Sequence, residues 1–95
     1  MLAIQDRRHE LLQRAAAATT YMLDAIVAAR RGGAPDTALQ AARALHRQAQ
    51  WRIDFVAAEN SMGFHAPQEL ARILVETLDL ARQGQLAADR ATRKP

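Results

Sequence analysis

Ninety-five residues make one domain at most, and a chain this short buries only a modest share of its surface. Hydrophobic residues form 49% and charged residues 24%, a globular balance rather than a disordered one. Thirteen basic residues against ten acidic ones leave a formal charge of +3, and the absence of cysteine excludes disulfides, thiolate metal sites and a catalytic thiol.

The first predicted element is a helix over about residues 2–31. Leu11, Ala15, Ala18, Met22, Ala25 and Ala29 recur at alternating four and three spacing. Leu12, Ala16, Thr19, Leu23 and Ile26 form a second stripe beside them, which gives a broad apolar face. The stretch "RRGGAPD" stops the helix. Arg30 and Arg31 suit its negative end, and Gly32 or Gly33 can adopt the left-handed cap conformation.

The second helix is predicted over about 35–61, with Pro35 in the first turn and Asp36 complementing the dipole. Its main stripe is Ala38, Ala42, Leu45, Ala49, Ile53 and Val56. Another stripe, Trp51, Phe55, Ala58 and Met62, appears only in its later half, so that half faces neighbours on two sides. Gly63 allows a sharp turn, and Glu59, Asn60 and Ser61 carry polar atoms for the backbone groups freed there. The third helix is predicted over about 67–83, opened by Pro67. Leu70, Ile73, Leu74, Leu78 and Ala81 form its face, and Asp79 is spaced to pair with Arg82. Gly84 is expected to end or fray it, leaving 89–95 as a disordered basic tail.

The fold expected is therefore all-α. A long helical hairpin and a third helix form one bundle-like domain over 1–88. Twenty-two alanines favour helix but each buries little area, so the core is thin. The first helix, ~45 Å long at ~1.5 Å per residue, outreaches a compact three-helix domain of ninety-five residues, and its broad face is largely alanine. That mismatch predicts a homodimer or larger bundle with Leu11, Ala15, Ala18, Met22 and Ile26 at the seam.

Several classes of partner are disfavoured. Acids and bases interleave, and no basic stripe with aromatic readers suggests nucleic acid. No apolar run approaches the ~20 residues of a membrane span, and the N-terminus lacks the pattern of a signal peptide. No nucleophile-and-base spacing marks a catalytic triad. His9 and His46 lie among charges and read as surface residues. His65, between Phe64 and Ala66 in the turn before Pro67, admits two readings. It is a half-buried packing or capping residue, or an imidazole aimed rigidly at a metal.

The run "AQWRIDFVAAENSMGFHAPQELARIL", residues 49–74, resembles the C-terminal segment of the ammonia-forming cytochrome c nitrite reductases. The flanking "ALHR" and "DLARQGQL" and the start "IQDRRHELLQRA" are similar too, so the resemblance covers nearly the whole chain. Its most specific part is Trp51-Arg52-x-Asp54 followed by His65-Ala66-Pro67 with Glu69 just beyond. The resemblance implies that His65 is the distal axial ligand to the iron of a bis-histidine haem. It places Glu59, Asn60, Ser61 and Met62 around that haem, with Trp51 and Phe55 packed beside it. It also implies haem c attached through another segment, a homodimer contact through long helices, the haem-bearing part of the enzyme as a partner, and a periplasmic setting. The Cys-x-x-Cys-His attachment motif and the catalytic lysine-ligated haem site have no counterpart in this sequence, so no haem is bound covalently by this chain. The segment is expected to be inactive alone. The competing expectation is a stand-alone helical self-association or assembly module without a redox role.

Overall fold

The computed structural model describes the backbone of residues 2–62 and 67–92, and the side chains of 9–60 and 67–92. Three helices follow in order: α1 (Leu2–Arg31), α2 (Asp36–Met62) and α3 (Pro67–Thr92). They pack side by side into a rod of 52 × 19 × 17 Å. Helix α3 lies against both α1 and α2, whereas α1 and α2 touch each other far less. The fold is the all-α three-helix bundle that the periodicity predicts.

The α1–α2 turn is built from backbone chemistry. The Gly33 N–H donates to the Arg30 carbonyl at 3.1 Å, and the Ala34 N–H to the Ala29 carbonyl at 3.0 Å. Gly33 sits at φ 100°, so it rather than Gly32 takes the left-handed position. Ala29 and Ala34 are both buried and cluster with Leu39, the apolar contact that accompanies this cap. Asp36 opens α2 and accepts from Arg30 at 2.6 Å and Arg43 at 3.2 Å, which ties the two helices across the turn.

The core changes in kind along the rod. The half nearer this turn is built from small residues: Ala42, Ala49, Ala81 and Ala88 surround Met22 and Ile26. The other half holds Ala15, Val56, Leu70 and Leu74, with Leu11, Leu12, Ile53, Ile73 and Leu78 packed against them. Two buried hydroxyls are satisfied locally. Thr19 and Thr77 each donate to the carbonyl four residues back at 2.8 Å.

Several expectations change. Helix α3 does not stop near 83, and residues 89–92 are helical rather than disordered tail. Gly84 is buried mid-helix. A Cβ placed there would lie 1.9 Å from the Met22 Sδ, so this glycine makes room for a neighbour instead of ending a helix. With α3 running to Thr92, the helices have 30, 27 and 26 residues, and α1 no longer outreaches its partners. The seam stripe also lies elsewhere. Ala15, Met22 and Ile26 are buried within the single chain, and Leu11 and Ala18 pack against the same clusters. In α2, Leu39 takes the core place expected for Ala38, which is exposed. Asp79 accepts from Gln83 at 2.7 Å rather than pairing with Arg82.

Candidate functional site

His65, Gly63, Phe64 and Ala66 lie outside the described residues, and so does the break expected between α2 and α3. The side chains of Ser61 and Met62 lie outside them as well. The elements on either side are well defined. Helix α2 delivers the chain to this turn at Met62, and α3 takes it up at Pro67.

A charge ladder connects the two helices near that end. Arg52 on α2 approaches Glu76 on α3, with Nε 3.4 Å from Oε1. Glu76 also accepts from Arg72 at 2.7 Å, and Arg72 bonds Glu69 in the first turn of α3. The Glu69 carboxylate, through its hydrogen bond and its charge, and then Glu76 hold the Arg72 guanidinium above its ordinary range. Exposed pairs of this kind contribute little stability each. Of the three, only Arg52–Glu76 joins α2 to α3, and the other two lie within α3.

On α2, Trp51 and Phe55 stand one turn apart with ring centroids 5.6 Å apart and planes inclined by 14°. Trp51 is 63% exposed and Phe55 36%. For a pair this exposed such a stack contributes about 0.5 kcal/mol, the low end for aromatic pairs, and it leaves much of the indole in water. Gln50 donates to Asp54 at 3.1 Å alongside. Asn60 is exposed and Glu59 half-buried. Of the residues expected around a cofactor, the structure thus brings Trp51 and Phe55 together on the surface of α2.

Sequence reasoning missed a second feature. Between α1 and α2, near the first turn, lies a groove of about 430 Å³ lined by Leu23, Ile26 and Val27 with Arg30, Arg31, Arg43, Arg47 and His46. His46, expected on the surface among charges, is half-buried. Its Nε2 is buried without a hydrogen-bond partner among the described residues. Such a nitrogen costs on the order of 1–3 kcal/mol while unsatisfied. The signal was available, because Ala42, His46, Ala49 and Ile53 follow the four-three-four spacing of the apolar stripe.

These features define a class: a rod-like helical segment with its core closed inside and aromatic surface left open. No helix among the described residues is long and apolar enough to cross a membrane. The chain belongs to the cytochrome c552 family, which it matches over residues 1–95. It is 47% identical over 62 residues to a cytochrome c-552 of Bacteroides thetaiotaomicron, a match covering 65% of this chain and 13% of that protein. It is 53% identical over 55 residues to a cytochrome c-552 of Bacteroides fragilis, covering 58% and 11%. A cytochrome c-552 of Parabacteroides distasonis is 45% identical over 62 residues, covering 65% and 13%. The matched segment is thus a small part of each of these relatives. No solved structure matches the chain.

Proposed function

We propose that the chain is the C-terminal helical part of a multihaem c-type cytochrome that reduces nitrite to ammonia in the periplasm. Its role there is to supply His65 as the distal axial ligand of one haem and to contribute helices to a homodimer. The observation that carries this reading is a family match along the whole chain in a sequence without cysteine. Haem c is held by thioether bonds from Cys-x-x-Cys-His, so any haem this segment meets is attached elsewhere. When bound, the haem supplies the electron-transfer chemistry.

The chain's own residues fit a place beside such a group. A neutral imidazole at His65 offers one nitrogen to iron, and the Trp51–Phe55 stack offers flat apolar surface on the helix leading to it. The Arg52–Glu76 pair joins α2 to α3, the two helices that flank the ligand in sequence. One distal ligand cannot drive a multi-electron reduction, so the 95-residue chain alone is expected to form no ammonium from nitrite with a reduced viologen donor.

The test is His65→Ala in the assembled cytochrome. One low-spin bis-histidine haem should become high-spin, read by electron paramagnetic resonance and magnetic circular dichroism. An unchanged low-spin signal would overturn the ligand role.

A further inference from the structure

From the groove between α1 and α2 we infer a docking seat for an acidic, apolar-faced helix belonging to the haem-bearing part of the protein. This rests on the reading that such a part exists and packs against the segment.

The groove has the chemistry of a helix receptor. Its floor is apolar, and Leu23 and Val27, one turn apart, remain 41% and 38% exposed. Its rims are basic on both sides, with Arg30 and Arg31 from α1 and Arg43 and Arg47 from α2. Among the described residues Asp36 is the one carboxylate bonded to this group, and it engages Arg30 and Arg43. Among the described residues Arg31 and Arg47 take part in no ion pair. Four guanidiniums against one carboxylate leave an excess as large as the formal charge of the whole chain.

The arrangement also selects among occupants. Arg43 and Arg47 are spaced by one helical turn, ~6 Å along the axis, and so are Leu23 and Val27. Charges and apolar groups therefore run in parallel lines along the groove. A helix with an apolar stripe flanked by Asp or Glu meets all of them at once, whereas a single small anion meets one end. A second copy of this chain related by a twofold axis would set arginines against arginines, which disfavours self-association on this face. The matched segment accounts for only 11–13% of the length of the curated relatives, so most of their polypeptide lies outside it.

The experiment uses the assembled cytochrome with the photo-crosslinking residue p-benzoylphenylalanine in place of Val27. Irradiation should yield a crosslink to an Asp- or Glu-rich helix of the haem-bearing part. The double change Arg31→Glu and Arg47→Glu should lower the yield by about fivefold or more, while Arg31→Lys with Arg47→Lys retains it. Should the charge-reversed protein fail to fold, the same fall is expected for the Val27-substituted protein in about 1 M salt. A crosslink to a second copy, the absence of any crosslink, or a yield indifferent to both charge and salt would overturn the proposal. The low-spin haem signal read on the same samples reports His65 independently, so failure of the docking seat and failure of the ligand role give different results.

Discussion

The two halves of the rod are packed by opposite means. Near the α1–α2 turn the helices meet largely through alanines and Gly84, with Met22 the large side chain that fits against Gly84 and Ile26 beside it. Near the α2–α3 end they meet through Leu70, Leu74, Val56 and their aliphatic neighbours. Small residues bury little area each but let backbones approach closely, so dispersion contacts between the helices do more of the work. Branched and long side chains fill a wider gap and bury more. One half should therefore fail when atoms are added, and the other when atoms are removed. The aliphatic half is also the one that carries the exposed aromatic pair and the turn bearing His65, so the larger buried area supports the region assigned a functional role.

The sharpest break should come from Leu74→Ala, which empties a fully enclosed position in the aliphatic half. A loss of about 3 kcal/mol is expected in chemical denaturation. A loss below about 1 kcal/mol would mean that this half is loosely packed. Next is Gly84→Ile. The added side chain meets Met22, and a loss of about 2 kcal/mol is expected. Pairing Gly84→Ala with Met22→Ala should give a smaller loss than the two single changes summed, because each relieves the other. Additive losses would show that Gly84 is not the socket for Met22.

Gly33→Ala should cost about 1 kcal/mol, since its φ of 100° is strained for any residue with a Cβ. Gly32→Ala should cost less, because it requires no positive φ, although its Cβ would approach the Ala28 carbonyl at 3.3 Å. Equal losses by thermal denaturation would contradict the assignment of the cap. The smallest effect on stability belongs to Trp51→Ala, expected within about 0.5 kcal/mol in the isolated chain because the indole is mostly in water. The same change in the assembled cytochrome should weaken association with the haem-bearing part. A large loss of stability in the isolated chain would place Trp51 in the core instead.

Much of the helical architecture was legible in one dimension. The apolar spacing in α1 and α2, the Gly-Gly stop and the prolines at the helix starts, Pro35 just before α2 and Pro67 opening α3, are local, and local hydrogen bonding and sterics enforce them at either end of a helix. The third helix was misread at Gly84 because glycine has two uses, as a stop and as room for a neighbour. Only the position of Met22 on another helix distinguishes them. The seam residues were misread for a related reason. An apolar stripe states that something covers it but not what, and here α2 and α3 cover Ala15, Met22 and Ile26 within the chain. At the candidate site, spacing marked Trp51 and Phe55 as one stripe of α2 and left His65 open between a packing residue and a metal ligand, and only the family resemblance set all three beside a haem. The unpaired nitrogen of His46 and the two arginine rims emerged only when two helices distant in sequence were set side by side. Charge complementarity and desolvation depend on distances in space, which spacing along one chain does not determine.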